Sequence, residues 1–430
     1  MNSYPYWWDT VSDRAGNPET GTRNPQPPPA SCDVVVVGGG YTGLAAALGL
    51  ARTGASVVVL EREHAGWGAS SRNGGQVLTG FKLEPAALVA KFGEARAREL
   101  FDVSLESIAS LESLLQDEAI ECEYARTGHL QAACKPTHFD AFREEQQLLA
   151  RVFNHHVTLV PPADQAREIG TGAYHGLLLD ERSGAINPSK YVRGLADAAT
   201  RRGASIVEGI SVLDISKSGS SQLVRTSRGD VNAKDVFIAT NGYTGQATPA
   251  LRRRLIPVGS YIIATAPLSE GTAARLIPRR RMVFDSRHFL HYFRITADRR
   301  LLFGGRAEFS EPTLESASRA TAILNHEMTS LFPELSATPV DYSWSGHVAF
   351  TRDQMPHAGR LGGLYYAAGY CGHGIAMATY LGGVMARRIA GEAFEHPLVD
   401  RPFSAVPLYD GRPWFLPMVG AYYRFRDWID

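Results

Sequence analysis

The chain contains 430 residues, of which 44% are hydrophobic and 20% are charged, as is usual for globular proteins. Its length allows two domains, each with a substantial core. Basic and acidic residues balance at 44 each, so the net charge creates no field that would attract nucleic acid or an anionic membrane.

Cysteine usage and hydropathy exclude further classes. The four cysteines are scattered and none forms a CxxC pair, so we expect neither a disulfide framework nor a zinc site, and a reducing compartment fits. The first residues lack the pattern of a signal peptide. The apolar run 34–51 is interrupted by glycines and predicts a strand and a helix, not a membrane span. We therefore expect a cytoplasmic protein without a transmembrane segment.

Residues 1–30 form an N-terminal arm rich in Pro, Gly, Asn and Thr, without hydrophobic periodicity. Two interpretations remain open. The arm lies extended over the surface, anchored by Tyr4, Tyr6, Trp7 and Trp8, or it is a disordered leader.

A strand–turn–helix–strand unit follows the arm. Val34–Val37 predicts a short buried parallel strand, and the glycine-rich turn 38–43 leads into an apolar helix, Leu44–Arg52. A second strand, Ser56–Leu60, ends at Glu61. This order is that of a nucleotide-binding βαβ unit.

The glycines of this unit have separate physical roles. Gly38 permits the tight turn, Gly40 lets the backbone approach a pyrophosphate, and Gly43 lets helix and strand pack closely. The helix N-terminus offers N–H groups to the phosphates. Glu61 lies where an acid accepts hydrogen bonds from a ribose. We predict a dinucleotide site, because glycines that serve packing alone leave Glu61 unexplained.

The loop 66–76, GWGASSRNGGQ, is dense in glycine and serine. Its N–H and hydroxyl groups are suited to wrap a polar ligand, which we favour over a plain surface loop because the loop follows Glu61 closely. Helical patterns at 85–118 and 137–153, with a predicted strand pair at 120–134 around Gly128, then form an insertion.

The nucleotide fold resumes near residue 176, and Asn187-Pro188 opens a helix at Ser189–Arg201. From about 250 to 345 the pattern changes to long alternating strands and one helix. The predicted elements of this part are strand Pro257–Ala266, a hairpin of Phe289–Ile295 with Arg300–Gly305, and a helix at 314–331. Before it, the strands Ser205–Glu208 and Asp235–Ala239 are predicted to continue the open sheet of the nucleotide fold. The first pattern then returns, with strand Leu364–Ala368, a glycine turn and an apolar helix from Ile375.

The predicted fold class is α/β plus α+β, with a Rossmann-like dinucleotide-binding domain and an inserted antiparallel-sheet substrate domain. The predicted boundaries are 1–30 for the arm, 31–84, 160–249 and 346–430 for the discontinuous first domain, and 85–159 and 250–345 for the second. The aromatic tail after residue 405 is expected to pack along the first domain; a peripheral membrane contact is the alternative.

Taken together, the motifs resemble the flavin-dependent D-amino-acid-oxidase superfamily, and within it the gamma-glutamylputrescine-oxidase-like amine oxidoreductases near glycine and sarcosine oxidases. The resemblance runs from about residue 30 to the C-terminus. Its motifs are GGGYTG (38–43), Glu61, GASSRNGGQ (68–76), TNGYTG (240–245), YFRITADRRLLFGG (292–305), WSGHVAFTRDQMPHAG (344–359) and GYCGHGIAMATYLGG (369–383).

The resemblance implies FAD bound in extended form by a GR2-type domain. In chain order, the implied contacts are with the pyrophosphate, the adenosine ribose, the flavin and the pyrimidine edge of the flavin ring. The implied cofactor-binding residues are Gly38, Gly40, Tyr41, Thr42, Gly43, Glu61, Arg62, Ser70, Ser71, Arg72, Asn73, Gly74, Gly75, Gln76, Asn241, Gly369, Gly372, His373, Gly374 and Ile375.

Some relatives attach the flavin covalently, through a histidine in the loop after the ribose acid or a cysteine before the last glycine turn. Here the loop reads Ser-Ser-Arg-Asn, 344–359 contains no cysteine, and Cys371 lies elsewhere, so we predict non-covalent FAD. Other relatives place a lysine over the flavin. Every lysine here precedes residue 235, which disfavours rapid reaction with O₂ unless a histidine or arginine substitutes.

The last glycine turn is expected to stabilise the reduced flavin. Negative charge develops at the flavin N1–C2=O when the ring accepts a hydride, and a helix beginning near Gly374 presents N–H donors there. His373 is expected to add a donor or a positive charge. The alternative is a histidine satisfied by a backbone carbonyl.

Substrate contacts are expected from the antiparallel sheet, because the cofactor turns belong to the other domain. Side chains alternate along a strand, so only one of two sets is able to face the flavin: His288, Leu290, Tyr292 and Arg294, or Phe289, His291 and Phe293. The predicted catalytic residues are Tyr261, Tyr292, Arg294 and His347, with His291 as a further candidate and Trp344 as an apolar wall.

Two of these residue types suggest a ligand chemistry. Tyr261 and Tyr292 suit an amine through cation–π contact, although buried tyrosines are common in cores. Arg294 is able to clamp a carboxylate, but we favour a structural role in which it pairs with Asp298 or Glu308.

The predicted activity is oxidation of a C–N bond in a small-molecule amine or amino acid, by hydride transfer to flavin N5. The imine then hydrolyses to an aldehyde or keto acid, and O₂ reoxidises the flavin. The alternatives are a dehydrogenase that passes electrons to a quinone or carrier protein, and a non-redox dinucleotide-binding protein. An enzyme that uses only a nicotinamide cofactor is disfavoured, because a simple nicotinamide site would not need the loop after Glu61 or the last glycine turn.

Overall fold

A computed structural model describes residues 1–11, 27–305 and 314–429 of the chain. The strands are β1 (Ser31–Val37), β2 (Val57–Leu60), β3 (Gln76–Val77), β4 (His129–Ala132), β5 (Thr158–Val160), β6 (Leu177–Asp180), β7 (Gly184–Ala185), β8 (Ser205–Val207), β9 (Val212–Ser218), β10 (Ser221–Thr226), β11 (Gly229–Ile238), β12 (Ile256–Thr265), β13 (Met282–Asp285), β14 (His291–Ile295), β15 (Leu301–Gly305), β16 (Val340–Phe350), β17 (His357–Leu361) and β18 (Leu364–Ala368).

The helices are α1 (Tyr41–Arg52), α2 (Pro85–Phe92), α3 (Glu94–Asp117), α4 (Pro136–Phe153), α5 (Pro188–Arg201), α6 (Pro249–Arg252), α7 (Glu270–Leu276), α8 (Leu314–Leu331), α9 (Ile375–Ile389) and α10 (Leu416–Ile429). Most begin with a feature that the sequence shows. Pro188 stands at the first turn of α5, where its missing N–H costs nothing, and the Asn187 side chain accepts a hydrogen bond from the Lys190 N–H at 3.2 Å.

The first sheet has the strand order β17-β18-β11-β1-β2-β8, and the hairpin β9–β10 pairs with β11. The strands β18, β11, β1, β2 and β8 run parallel to one another, whereas β17 and β10 pair with this group in the antiparallel direction. The valines of β1 are buried between two layers: Val34 and Val36 face helices α1, α5 and α9, whereas Val35 and Val37 pack on the opposite side with residues of β10 and α6. This is the nucleotide-binding architecture that the sequence predicts.

The helices α1 and α9 pack closely against each other beside the glycine turn. Gly382 of α9 is the point of closest approach, since a Cβ there would clash with the Thr42 carbonyl oxygen and lie 2.9 Å from the Ala45 Cβ. The neighbouring Gly383 has open space at the Cβ position.

The second sheet has the strand order β16-β12-β15-β14-β13-β4-β6-β5 and is antiparallel except where β13 pairs with β4. Helix α8 covers one face, over a core that includes Phe293, Phe303, Leu324 and Phe332. The predicted fold class, a parallel sheet joined to an antiparallel one, is therefore confirmed.

Several predicted elements are found close to their predicted positions. The hairpin β14–β15 pairs Phe293 with Phe303, and α8 has the predicted bounds. The predicted helical stretch 85–118 is two helices, because Gly93 has a φ of 76° and ends α2.

Two predictions about the insertion are wrong. The segment 120–134 forms no strand pair around Gly128; β4 pairs with β6 and β13, which are distant in sequence. The predicted first domain also resumes too early, because β6 at Leu177–Asp180 belongs to the second sheet. Neither feature is visible in the sequence, because the paired strands are far apart along the chain.

The described part of the N-terminal arm is ordered on the second sheet. The Asn2 N–H donates to the Asp341 carbonyl at 2.7 Å, and the Ser343 N–H donates to the Asn2 carbonyl at 2.9 Å. Tyr6 and Trp7 are buried. The interpretation of an arm with aromatic anchors is thus correct for residues 1–11, while 12–26 lie outside the described residues.

At the other end of the chain, the Tyr409 hydroxyl donates to the Leu255 carbonyl at 2.9 Å.

We expect Gly382→Ala to lower the free energy of unfolding by about 1–3 kcal/mol, because the added methyl group forces α9 away from α1. Gly383→Ala is the matched control and should be neutral or stabilising by up to about 1 kcal/mol, the helix propensity gain. Urea unfolding of both variants measures the difference. Equal effects would show that the α1–α9 contact is not tight at Gly382.

Candidate cofactor and substrate site

The functional turns meet at one edge of the first sheet. The parallel strands β1, β11 and β18 are neighbours, so the segments that follow their carboxyl ends lie side by side. These segments are the turns 38–43, 240–243 and 369–374. Side chains connect them: the Gly369 N–H donates to the Asn241 Oδ1 at 2.9 Å, and the hydroxyls of Thr42 and Tyr370 lie 2.7 Å apart.

The first glycine turn borders the cavity at the start of α1, where a phosphate group would bind. Gly38 has a φ of 107°, which L side chains disfavour. A Cβ at Gly43 would clash with the Gly38 carbonyl oxygen, so helix and strand approach as predicted. A Cβ at Gly40 would lie 2.9 Å from the Ser70 Oγ, and the Tyr41 N–H at the start of α1 donates to the same oxygen at 3.0 Å.

Glu61 lies at the end of β2, beside the first turn. Its Oε2 accepts a hydrogen bond from the Gly39 N–H at 2.7 Å and its Oε1 accepts one from the Glu63 N–H at 3.0 Å. Burial raises the pKa of the carboxyl group. Arg62 also borders the cavity and pairs with Glu63 at 3.2 Å. The carboxylate is therefore fixed in place at the ribose end of the predicted site.

The loop 66–76 is held by its own polar groups. Ser71 Oγ donates to the Gly66 carbonyl at 2.7 Å, and Asn73 Oδ1 accepts from the Gly75 N–H at 2.8 Å. Arg72 donates to the Trp67 and Ser345 carbonyls at 2.8 and 3.1 Å, and burial lowers its pKa. Arg72 therefore ties the loop to β16.

A cavity of about 480 Å³ runs along these turns. It extends from Glu61 past the loop 66–76 to the turn 369–374, and on to the helical insertion at Leu88 and Leu149. The predicted cofactor residues that border it are Gly38, Gly40, Tyr41, Thr42, Glu61, Arg62, Ser70, Arg72, Asn73, Gly74, Gln76, Asn241, Gly372, His373, Gly374 and Ile375. Gly43, Ser71, Gly75 and Gly369 lie behind this lining and shape it.

His373 stands immediately before α9, where we expected a hydrogen-bond donor or a positive charge. Burial lowers the pKa of its imidazole to about 3, with contributions from the charges of Lys82 and His129. The ring is therefore neutral near pH 7, and the expectation of a positive charge is not supported. Its Nδ1 is buried without a hydrogen-bond partner among the described residues, so it is not a histidine satisfied at that atom by a backbone carbonyl.

Two of the predicted catalytic residues border the cavity. Tyr292 of β14 lies with its hydroxyl 3.1 Å from the Ser260 Oγ, and a Cβ at Gly74 would lie 3.0 Å from its ring. His347 of β16 stacks on Tyr243 with 5.1 Å between ring centroids. Both rings are thus near the loop and turns that surround the cofactor space.

Tyr261 does not border the cavity, and the register explains why. Tyr261 pairs with Gly305, which pairs with His291, so Tyr261 lies on the sheet face opposite to Tyr292. It is 1% exposed in the core under α8, with its hydroxyl 3.3 Å from the Ser316 Oγ. The face that carries Leu290, Tyr292 and Arg294 is the one turned to the cavity.

Arg294 and Trp344 are structural. Arg294 is buried and donates to the Gly75 and Ile186 carbonyls at 2.8 and 3.0 Å, so the structural interpretation is right but the expected partner Asp298 is wrong. The other expected partner, Glu308, lies outside the described residues. Trp344 donates to the Arg72 carbonyl at 3.0 Å and supports the loop from behind. His291 pairs with Asp285 at 3.3 Å, away from the cavity.

The insertion supplies cavity residues that sequence reasoning missed. Lys82, between β3 and α2, borders the cavity, although no lysine lies in the strands that were expected to cover the flavin. The His155 Nε2 lies 2.8 Å from the Asp180 Oδ2, and both residues are buried at the cavity wall. Burial, together with the charge of Glu84, raises the pKa of Glu145 to about 7. No motif marks these residues, because separate helices and strands bring them together.

The geometry defines a class before any relative is considered. A glycine turn, an acid fixed at the end of the second strand and a cavity that reaches a second, antiparallel sheet are typical of enzymes that bind a dinucleotide cofactor beside a substrate. The chain belongs to the DAO family of FAD-dependent oxidoreductases, whose model matches residues 33–388.

Relatives extend the assignment. The chain is 35% identical over 405 residues to gamma-glutamylputrescine oxidoreductase of Escherichia coli K12, covering 92% of this chain and 93% of that protein. A D-amino acid dehydrogenase of Methylobacterium nodulans is 28% identical over 423 residues, with coverage of 84% and 96%. Glycine oxidase from Geobacillus kaustophilus superposes with a TM-score of 0.72 at 22% identity, over 88% of this chain and 99% of that chain.

The protein is thus an FAD-dependent oxidoreductase of the amine and amino-acid type, acting on a small molecule and an electron acceptor. Its residues fit FAD: Gly38, Gly40 and Thr42 border the cavity at the N-terminus of α1, where a pyrophosphate would lie, and the unpartnered His373 Nδ1 offers a polar contact at the far turn. Across the described ranges, every helix is too short or too polar to cross a membrane.

We expect Glu61→Ala to weaken FAD binding by about tenfold or more, because a charged hydrogen-bond acceptor at the ribose is lost. Glu63→Ala, two residues away and exposed, is the matched control. The ratio of flavin absorbance at 450 nm to protein absorbance after dialysis measures the effect. Equal retention in the two variants would show that Glu61 does not contact the cofactor.

Proposed function

We propose that this protein oxidises a C–N bond of an amine or amino acid, with FAD held non-covalently. The observation that carries the proposal is the continuity of the cavity from Glu61, past the turn 369–374, to Tyr292 and the helical insertion. A substrate in the distal part would reach the flavin without leaving the protein. When bound, FAD supplies the hydride acceptor, and the resulting imine hydrolyses to an aldehyde or keto acid.

The chain's own residues supply position and environment. Tyr292, held by Ser260 at 3.1 Å, and His347, held against Tyr243, give aromatic surfaces that suit a cation or its neutral amine. His373 is neutral and uses its N–H or lone pair, not a charge. Apolar walls exclude water and orient the C–H bond.

Non-covalent attachment is supported by the side chains around the cavity. The loop 66–76 contains no histidine. Cys371 lies in the last turn, where its thiol donates to the Gly369 carbonyl at 3.2 Å, so its sulfur is already engaged within the turn. Denaturation should therefore release the flavin into solution.

The distal cavity favours a substrate with an apolar chain and a polar end. Leu88, Leu149 and Leu178 form apolar walls, and Glu145 provides a carboxyl group there. A gamma-glutamylated polyamine, a secondary amine or an amino acid with a long side chain meets this description. The E. coli relative, by its name, acts on gamma-glutamylputrescine, which agrees with the first of these.

For the electron acceptor we propose O₂. No lysine lies in the strands expected to cover the flavin, but Lys82, between β3 and α2, borders the cavity and brings a positive charge to it. A positive charge stabilises the anion formed when O₂ takes up an electron. A quinone or carrier protein is the alternative acceptor, as one relative is a D-amino acid dehydrogenase by name.

We expect anaerobic addition of the correct substrate to bleach the flavin absorbance at 450 nm within seconds. The panel is gamma-glutamylated amines, free polyamines, N-methyl amino acids and D-amino acids. Readmission of air should restore the colour with about one H₂O₂ per turnover if O₂ is the acceptor. Slow recovery without peroxide would favour the dehydrogenase, and a colourless protein that cannot be reconstituted would contradict a redox function.

We expect Tyr292→Phe to slow flavin reduction by about tenfold, because the hydroxyl that orients the substrate and contacts Ser260 is lost. Tyr261→Phe removes a hydroxyl from the same sheet but on the buried face, and should leave the reduction rate within about twofold. Stopped-flow reduction compares the two. A larger effect at Tyr261 would contradict the register-based assignment.

A further inference from the structure

The N-terminal segment Asn2–Thr10 lies across the outer side of the cofactor loop 66–76. Its backbone joins the edge of the second sheet through the hydrogen bonds between Asn2 and β16. Trp7 is 1% exposed, and the Thr10 Oγ1 accepts a hydrogen bond from the Asn187 Nδ2 at 3.0 Å. The segment is therefore anchored at both ends, on parts of the protein other than the loop.

Both tryptophans of the segment donate their indole N–H to the loop. Trp7 Nε1 donates to the Asn73 carbonyl at 2.8 Å, and Trp8 Nε1 donates to the Ser71 Oγ at 2.8 Å. The Ser71 hydroxyl in turn donates a hydrogen bond to the Gly66 carbonyl. These contacts join residues more than sixty positions apart, so local chain geometry does not require them.

The Trp7 contact continues toward the cavity. The guanidinium carbon of Arg294 lies 5.6 Å from the Trp7 ring, and Arg294 donates to the Gly75 carbonyl. The short turn Asn73–Gly75 is thus held at one end by Trp7 and at the other by Arg294. Gly74, between them, borders the cavity and lies against the Tyr292 ring.

The Trp8 ring also lies close to loop residues that border the cavity. The guanidinium carbon of Arg72 lies 5.1 Å from the Trp8 ring and 4.4 Å from the Trp67 ring. Both Arg72 and Trp67 border the cavity. A glycine- and serine-rich loop loses much conformational entropy on ordering, so contacts on its outer side reduce the cost of ordering its inner side when the cofactor binds.

We propose that Trp7 and Trp8 are positioning residues for FAD: their indole N–H groups hold the loop 66–76 in the conformation that contacts the cofactor. The proposal rests on the presence of FAD and not on the identity of the substrate. Removing a tryptophan should therefore alter flavin retention and environment whether or not the amine oxidase proposal is correct.

The test uses Trp7→Phe and Trp8→Phe in the full-length holoenzyme. Each variant keeps an aromatic ring and removes the N–H donor. Trp414→Phe is the matched control, because its Nε1 also donates to a backbone carbonyl, that of Leu408 at 3.4 Å, but Trp414 does not border the cavity. Flavin release is followed by the rise in flavin fluorescence after dilution, and the flavin environment by visible circular dichroism.

We expect both test variants to release FAD about five- to tenfold faster than the control, the factor that corresponds to loss of one hydrogen bond. The visible circular dichroism should change while the midpoint of urea unfolding stays near that of the control. Release at the control rate, or a loss of flavin that only parallels a lower unfolding midpoint, would overturn the proposal. If Trp7→Phe does not fold, Trp8→Phe, which is only half-buried, decides the result.

Discussion

The site depends on a constraint of parallel sheets: the carboxyl ends of neighbouring strands open at the same edge. Strands β18, β11, β1 and β2 are adjacent, so turns from three distant parts of the chain and one acidic side chain converge without any direct sequence relationship. The hydrogen bond from the Gly369 N–H to the Asn241 Oδ1 and the contact between Thr42 and Tyr370 then fix the turns against one another. The cofactor space is the gap that remains among them.

The second sheet adds a constraint of its own, which is the alternation of side chains. One face is buried under α8 and the other turns to the cavity and the N-terminal segment. Tyr292 and Tyr261 are the same residue type, but the pairing through Gly305 places them on opposite faces, and of the two Tyr292 borders the cavity. Arg294 shares this side of the sheet with Tyr292, but it donates to the Gly75 carbonyl of the loop and does not border the cavity.

The sequence predicts the parts that obey local rules. The glycine turn, Glu61, the hairpin β14–β15 and the helix after the last glycine turn are encoded by period, caps and spacing, and the structure has them. The features that the sequence does not predict depend on contacts between distant segments. They are the pairing of β4 with β6 and β13, the face on which Tyr261 lies, and the position of Lys82 beside the cavity. Each depends on register or on packing between distant segments, and a single sequence carries no local signal for either.

The order of segments along the chain has a consequence for how this protein reaches its native state. The polypeptide passes back and forth between the two sheets, and the strands β4 to β6 and β12 to β16 are completed only after intervening parts of the first sheet are synthesised. Most native pairings therefore close long loops, which predicts slow folding and an intermediate with exposed strand edges. Neither sheet forms a contiguous stretch that truncation would isolate, so the molecule has to be expressed and studied whole.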